Sequence, residues 1–248
     1  MYDYFLGGEN NFAVDRAAAA EVRKLVPDVP VFAWENRQFL RRAVTYLARE
    51  VGITQFLDIG SGLPTVGNVH EIAQEIDPDI HVVYVDNDPL VAVHASSLLL
   101  GLEETVTILT EDLRDIDSIL HHPRTRRLID FTQPVGVLLA SVLPFLPDEA
   151  DPAGIMATIR GAVAPGSHLV ISHSVTGVLA DEAYDGIIDI YRQSTAPGAT
   201  FRPLERVRAF FDGWDLLDPG LVPAHRWRPA TDSTSGFDTN IVGAGRKP

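Results

Sequence analysis

The segment FLDIGSGLPT, residues 56–65, decides the fold. Its first half is apolar, as in a strand that is buried on both faces, and Gly60 and Gly62 follow where that strand would turn into a helix. Glycines at such a turn allow a tight bend and let a ligand approach bare backbone, while the N–H groups of the next helix can bind a negative group. The segment predicts the first βα unit of an α/β sheet, either with a ligand at its end or as an ordinary turn without one.

From residue 50 onward, short β-branched runs alternate with helical patterns. This alternation is typical of a parallel sheet with helices on both faces, a doubly wound, Rossmann-like α/β fold. Successive strand ends are separated by about 25 to 30 residues, which is the length of one βα unit. We predict strands over 53–58, 81–85, 106–109, 135–140 and 169–172, with two late strands over 214–217 and 241–244.

Two regions flank this centre. Residues 13–50 contain two helical patterns that predict an N-terminal helical cap, and the later region contains helices near 179–192 and 204–211 and a long loop over 218–238. We find neither an internal repeat nor a clear linker. We therefore predict a single domain, 1–248, with a cap and lid over 1–50, a cofactor-binding core over 51–174, and C-terminal helices with an antiparallel strand pair over 175–248.

Composition excludes several classes of protein. The chain of 248 residues has 34 acidic and 20 basic residues, and its net charge of −14 repels nucleic acid and anionic membranes. Without cysteine it has no disulfide, thiolate nucleophile or iron–sulfur cluster, and a cytoplasmic location is the simplest expectation. Neither lysine, Lys24 or Lys247, lies in a phosphate-binding loop.

Acidic residues close three consecutive predicted strands. Asp58 precedes the glycines, Asp86 ends the second strand, and Asp112 follows the third. A carboxylate at the position of Asp86 can accept hydrogen bonds from both hydroxyls of a ribose. Asp112 could accept from an adenine amine while the N–H of Leu113 meets a ring nitrogen. Single aspartates at strand ends are usually turn formers, but this collinear set predicts an adenosine-containing ligand.

The spacing argues against a dinucleotide. That fingerprint requires a third glycine, where this chain has Thr65, and an acidic residue about 20 positions later, whereas Asp86 lies 24 residues after Gly62. A Tyr-x-x-x-Lys proton-donor pair is also absent from the sequence. An NAD-dependent oxidoreductase is therefore the weaker alternative, and a methyl donor in which a methionine tail replaces the pyrophosphate is favoured.

The sequence resembles the class I S-adenosylmethionine-dependent methyltransferases, in particular a bacterial family of S-adenosyl methyltransferases whose substrates are largely unassigned. The resemblance implies a seven-stranded sheet with an antiparallel last strand, S-adenosylmethionine as cofactor, and methyl transfer to an acceptor that is most simply a small molecule. It extends over nearly the whole chain and rests on the segments 2–16, 35–47, 55–73, 82–95, 147–152, 213–222 and 227–229 and on the segment around Asp112.

The resemblance also implies a set of cofactor-binding residues: Asp58, Gly60, Ser61, Gly62, Asp86, Asn87, Asp112, Leu113 and Ser141. Ser141 would lie under the sulfonium. The segment 2–16 would fold over the cofactor as an aromatic lid with Gly7-Gly8 as hinge. The alternative interpretation of its aromatic side chains is a hydrophobic anchor for the first helix.

The catalytic residues are harder to predict. Relatives often carry a histidine after the fourth strand, where this chain has VLPF over 142–145. His173, at the end of the fifth strand, is then the best candidate base, and a core histidine is the alternative. His168 and His173 would face opposite sides of a strand, so we predict no metal site there. The missing histidine also leaves open a binding module that keeps the fold and regulates a partner without chemistry.

Two charged segments are predicted to be surface features. The histidines and arginines over 121–127 indicate a solvated basic loop, and the charges over 35–42 indicate a helix surface from which Asn36 or Arg37 could point toward the ligand.

Overall fold

The computed structural model describes residues 1–63, 67–193, 198–230 and 236–248. The helices are α1 (Tyr2–Phe5), α2 (Ala13–Leu25), α3 (Val29–Tyr46), α4 (Val69–Gln74), α5 (Pro89–Leu98), α6 (Ile116–His121), α7 (Pro123–Leu128), α8 (Pro152–Ala162), α9 (Asp181–Gln193) and α10 (Leu204–Ala209). The strands are β1 (Gln55–Ile59), β2 (His81–Asp86), β3 (Val106–Thr110), β4 (Gly136–Ala140), β5 (His168–Ser174), β6 (Asp215–Leu216), β7 (Val222–Pro223) and β8 (Asn240–Arg246).

These strands form one sheet in the order β3-β2-β1-β4-β5-β8-β6. The first five strands are parallel, and β8 is antiparallel to β5, as the resemblance implied. In the part of the chain that the structure describes the sheet has eight strands, so the implied number of seven was wrong: the outer edge of β8 pairs with two short pieces, β6 and β7. Pro219 lies between these pieces and has no N–H to donate to a ladder, which accounts for the interruption. The predicted loop over 218–238 was wrong at β7.

Different helices cover the two faces of the sheet. Side chains alternate along β1, so that Phe56 packs with α3, α4 and α5 while Leu57 packs on the opposite face with α6, α7 and α8. Both side chains are fully buried. The doubly wound architecture is therefore confirmed, and the carboxyl ends of β1 to β5 meet at one edge, which we call the carboxyl edge.

The predicted basic loop over 121–127 is helical. Pro123 is at the first position of α7, and the N–H of Arg124 donates to Nδ1 of His122 at 3.1 Å. Proline at this position is pre-organised for a helix, a signal that the interpretation as a loop overlooked. Arg126 lies over the ring of Phe131 at 4.7 Å, so its charge covers the end of the apolar core.

Besides the clusters on the two faces of the sheet, a smaller apolar cluster forms among helices. Val22 and Val26 of the α2 region pack with Ile187 of α9, and Phe5, Phe201 and Phe237 join them as half-buried neighbours. Helices from both ends of the chain thus build the cap. Within the described ranges, none of the helices is long and apolar enough to cross a membrane.

Candidate cofactor and acceptor site

The loop after β1 is held against β2 by its backbone. The N–H groups of Gly60 and Ser61 both donate to the carbonyl of Val85, at 2.7 and 3.2 Å. Gly60 has φ of +76°, and a Cβ atom there would overlap the side chain of Val142. Gly62 has φ of +67°, but no atom of the described residues lies within 4 Å of the position of its missing Cβ. One glycine therefore permits close packing, and the other leaves space beside the backbone that a ligand can enter.

Asp86 lies at the tip of β2 beside this loop. Its Oδ2 accepts a hydrogen bond from the N–H of Gly62 at 2.7 Å, and its Oδ1 accepts from the N–H of Asp88 at 3.0 Å. Burial raises the pKa of this carboxyl, while these two backbone hydrogen bonds lower it. Each carboxylate oxygen can accept a further hydrogen bond, so the group is oriented by the backbone and can still bind ribose hydroxyls.

Asp112 is more fully occupied than the sequence indicated. Arg114 donates to it from Nε at 2.9 Å, from Nη2 at 2.6 Å and from the backbone N–H at 2.9 Å, and Nδ2 of Asn87 donates at 3.1 Å. The Arg114 guanidinium holds the pKa of Asp112 well below its usual range. These four bonds use the acceptor capacity of a carboxylate, so Asp112 can bind an adenine amine only after Arg114 or Asn87 moves.

Asp58 faces Arg37 beneath the glycine loop. Asp58 is 4% exposed, and burial raises its pKa to about 7, against the attraction of Arg37 and with a smaller contribution from Asp86. Both residues line a narrow cavity of about 20 Å³ together with Ser61 and Tyr84. The cavity is roughly the size of one water molecule, and it brings a buried acid and a cation next to the ligand-facing loop.

Ser141 follows β4 in a strained conformation. Its φ is +59°, which is uncommon for a residue with a Cβ. The backbone N–H donates to the carbonyl of Ser172 at 3.1 Å, and the two side-chain hydroxyl oxygens are 3.2 Å apart. Strained residues of this kind concentrate at functional sites, so this position at the carboxyl edge is consistent with the role implied for Ser141.

His173 is enclosed in the protein interior. Its Nδ1 is 2.8 Å from the carbonyl oxygen of Ser174, and its Nε2 is 3.1 Å from Nη1 of Arg202. A carbonyl oxygen only accepts, so Nδ1 carries the proton and Nε2 accepts from Arg202. Burial lowers the pKa of His173 to about 4. Both nitrogens are engaged away from solvent, which favours the core histidine over the candidate base.

The N-terminal segment is anchored rather than loose. The Tyr2 hydroxyl donates to the carbonyl of Ala33 at 3.0 Å. Nδ2 of Asn11 donates to Asp3 at 2.8 Å and to the carbonyl of Gly8 at 2.7 Å. These contacts favour the interpretation in which the segment anchors the first helices.

Two polar residues at this edge are connected to Tyr2. Nδ2 of Asn36 donates to the Tyr2 hydroxyl at 2.9 Å, and Nδ2 of Asn240 donates to Oδ1 of Asn36 at 3.2 Å. The sequence indicated only that Asn36 could face the site. Asn240 was missed, since a single asparagine before a predicted strand is an ordinary turn residue.

Comparison with known proteins agrees with this geometry. The profile of a family described as S-adenosyl methyltransferase matches residues 1–247. A candidate methyltransferase from Thermobifida fusca YX is 39% identical over 99% of this chain and 92% of its own, with a TM-score of 0.92. A DUF574 family protein from Streptomyces avermitilis MA-4680 is 34% identical over 100% of this chain and 95% of its own, with a TM-score of 0.93.

A more distant structure shares the fold. The 1,6-didemethyltoxoflavin-N1-methyltransferase of Burkholderia thailandensis, with bound 1,6-didemethyltoxoflavin and S-adenosylhomocysteine, is 16% identical over 96% of this chain and 92% of its own, with a TM-score of 0.54. The comparison with curated proteins gives no significant match. The family profile and the two close structures together establish that this chain belongs to the S-adenosyl methyltransferase family and is an S-adenosylmethionine-dependent methyltransferase.

Proposed function

We propose that the carboxyl edge of β1, β2 and β4 holds S-adenosylmethionine and that the cap above it encloses a small-molecule acceptor. The observation that carries this proposal is the placement of the open Gly62 backbone, the oriented Asp86 carboxylate and the Asp58–Arg37 pair around one loop. When bound, S-adenosylmethionine supplies a methyl group that its sulfonium makes electrophilic. The protein's part is then to bind, orient and shield the reactants.

The donor set matches the two ends of this cofactor. Asp86 is placed to accept from the ribose hydroxyls, and the Gly60–Gly62 backbone leaves room for the chain that joins ribose to methionine. The amino-acid end of the cofactor carries an ammonium and a carboxylate. Asp58 and Arg37 offer the two opposite charges next to each other, so we assign Asp58 to the ammonium and Arg37 to the carboxylate.

The other residues that the resemblance implied would border the cofactor at its middle and at its adenine end. Ser61 and Ser141 lie on the two loops that face each other across the edge, and Gly60 already packs against Val142 beside Ser141. Asp112, Leu113 and Asn87 would form the adenine end. We propose that Arg114 leaves Asp112 when the cofactor binds, because its side chain is 61% exposed and can turn into solvent.

A small acceptor fits the charge and shape of the protein. The net charge of −14 argues against nucleic acid, and the apolar cap cluster suits a compact organic molecule better than an extended polymer. The fold neighbour from Burkholderia thailandensis carries such a molecule. The cysteine-free composition is consistent with action in the cytoplasm, which we include in the proposal.

Calorimetry with three ligands tests the proposal. We expect S-adenosylhomocysteine to bind more tightly than methylthioadenosine, which lacks the amino-acid end, and NAD not to bind. In Arg37→Met this preference should shrink by roughly 10- to 150-fold, the factor for a charged hydrogen bond, while binding of methylthioadenosine stays unchanged. Arg41→Met is the matched control, because Arg41 is on the same helix and pairs with Glu75 at the surface.

Two outcomes would contradict the proposal. If NAD binds and S-adenosylhomocysteine does not, the carboxyl edge is not a site for S-adenosylmethionine. An Arg37→Met variant with the full wild-type preference would show that another group holds the carboxylate.

A further inference from the structure

A directional chain of hydrogen bonds runs across the carboxyl edge from α3 to β8. The carbonyl of Ala33 can only accept, so the Tyr2 hydroxyl donates to it and is left to accept from Nδ2 of Asn36. This orients the Asn36 carboxamide with Oδ1 toward Asn240, which must present Nδ2. The orientation of each amide therefore follows from the chain itself.

This chain of hydrogen bonds ends at the carboxamide oxygen of Asn240, which receives no hydrogen bond from the described residues. Asn240 is 0% exposed, and its Oδ1 is a buried atom without a hydrogen-bond partner among the described residues. Buried polar atoms of this kind are rare in folded proteins and usually indicate a water or a ligand group. Turning the Asn240 carboxamide by 180° would not satisfy this oxygen. Oδ1 of Asn36 needs a donor, so Nδ2 of Asn240 must stay on the side of Asn36.

Asn240 lies at the carboxyl edge of the sheet, on the face covered by α3. It begins β8 opposite Ser174, the last residue of β5, and Ser172 on the same strand touches Ser141. Residues 172 and 174 share one face of β5, and Val242, which is opposite Ser172, packs in the cluster with α3. The orphaned oxygen is therefore on the α3 face of the sheet, a short way along the edge from the position implied for the sulfonium.

We propose that Oδ1 of Asn240 accepts a hydrogen bond from the nucleophile of the methyl acceptor and so positions it for transfer. This inference rests on the proposed function. It specifies the acceptor class: a hydroxyl, phenol, or primary or secondary amine, and not a thioether, a tertiary amine or a carbon nucleophile. Asn240 is a positioning residue, because an amide oxygen is too weak a base to take the proton.

The reaction balances without another protein base. The oxygen or nitrogen of the acceptor forms a bond to the methyl carbon, the carbon–sulfur bond breaks, and sulfur keeps that electron pair. The proton of the O–H or N–H group passes to water. Oδ1 is buried, so the acceptor reaches it when the side chains that cover it move aside.

Asn240→Leu tests the inference, because it removes the acceptor oxygen and keeps the volume. We expect transfer of a labelled methyl group into a bacterial metabolite extract to fall about 5- to 150-fold in kcat/KM, the factor for one lost buried hydrogen bond. Affinity for S-adenosylhomocysteine should stay within about twofold. Analysis of the labelled product should place the methyl group on oxygen or nitrogen.

Thr125→Val is the matched control. Thr125 is also fully buried, and its hydroxyl also has no partner among the described residues. It belongs to α7, which ends on Leu128, and the carbonyl of Leu128 contacts His81 at the start of β2. Thr125 is thus near the opposite edge of the sheet, and its removal should leave transfer unchanged.

Each other outcome has a definite meaning. Wild-type transfer by Asn240→Leu, or a methyl group found on sulfur or carbon, overturns this inference and leaves cofactor binding intact. If Asn240→Leu does not fold, Tyr2→Phe decides, since it breaks the same chain at its half-buried end: reduced transfer with unchanged S-adenosylhomocysteine binding supports the inference, and unchanged transfer overturns it. A wild-type enzyme that labels nothing overturns the proposed function and this inference with it.

Discussion

Burial of the Asp58 carboxyl disfavours its charged form, and the proposed function gives this carboxyl a role in binding the cofactor. At a pKa of about 7 it is half protonated at neutral pH, because burial disfavours its charge and Arg37 compensates only in part. A second positive group next to it would complete that compensation. In the proposed binding mode the ammonium of the cofactor is such a group, so cofactor binding should ionise Asp58.

We therefore predict that binding of S-adenosylhomocysteine at pH 6 releases protons. Free Asp58 is mostly protonated at that pH, and a bound ammonium lowers its pKa, so the proton leaves. Calorimetry in buffers of different ionisation enthalpy measures the number released. Methylthioadenosine, which has no ammonium, and the Asp58→Asn variant should both release fewer; equal release in all three would assign the proton elsewhere.

Burial lowers the pKa of His173, whereas it raises that of Asp58, so His173 is a neutral histidine in the protein interior. Its pKa of about 4 lies below the unfolded value of 6.5, so the unfolded chain binds more protons between these values. The contribution of His173 to stability is complete above pH 6.5 and is lost as the pH falls toward 4. Asp58, with its raised pKa of about 7, contributes the opposite slope over the same window. The difference in free energy of unfolding between the wild-type and His173→Gln proteins should therefore rise with pH from about 4 to 6.5.

Replacing His173 should separate structure from catalysis. His173→Gln keeps an acceptor for Arg202, so we expect methyl transfer to continue, whereas His173→Leu should lose about 1 to 3 kcal/mol of stability because a donor of the buried Arg202 is left unpaired. Denaturant unfolding and the transfer assay measure the two effects. A stable His173→Gln protein without transfer would restore His173 as the base.

At the scale of the element, the turn from β1 depends on two separate properties of Gly60. Its positive φ is unfavourable for any residue with a Cβ, and the space that a Cβ would fill is already occupied by the side chain of Val142, on the loop after β4. The second property joins the two loops that border the site. A substitution there should disturb both the local backbone and the opposite loop.

Gly52 offers the comparison that separates these properties. It has φ of +83° and no atom of the described ranges within 4 Å of its missing Cβ, so Gly52→Ala should cost only the conformational strain, about 1 to 2 kcal/mol. Gly60→Ala should cost a further 1 to 3 kcal/mol or so for overpacking and should also weaken S-adenosylhomocysteine binding. Unfolding and calorimetry measure both; equal losses in the two variants would mean that the packing against Val142 is unimportant.

At the scale of the whole molecule, the N-terminal and C-terminal parts are packed together. Arg42 of α3 donates to the carbonyls of Trp227, at 2.8 Å, and Ala224, at 2.6 Å, and Glu35 accepts from the N–H of Phe237 at 3.0 Å. Such contacts connect residues about 200 positions apart. We propose that residues 1–248 unfold as one cooperative unit.

This proposal predicts one thermal transition, with the same midpoint by circular dichroism and by tryptophan fluorescence. At about 100 times its Kd, S-adenosylhomocysteine adds about 2.7 kcal/mol to the stability of the folded state. For a chain of this size that shifts Tm by roughly 5 to 10 °C. Two transitions, of which only one responds to the ligand, would divide the chain into separate domains.

The sequence by itself determined the five parallel strands and their ends and indicated an adenosine-containing cofactor. Hydrophobic period, β-branched runs and glycine turns are local, so β1 to β5 and the acids at their tips were predictable within a residue or two. The start of α8 carries a local signal that our sequence analysis did not use, since Pro152 is its first residue and the Asp151 side chain accepts from the N–H of Gly154 at 3.0 Å. Resemblance then narrowed the adenosine ligand to S-adenosylmethionine.

Only the tertiary structure decided what each polar group does. Asp112 looked available until Arg114 and Asn87 occupied it, His173 looked like a base until Arg202 covered its second nitrogen, and Asn240 had no signal at all. The partners of the last two lie far along the chain, as Asn36 does from Asn240. Whether a polar group is hydrogen-bonded, and what its pKa is, depend on which groups lie close to it in the folded protein. The spacing of residues along the sequence does not show which distant residues come together.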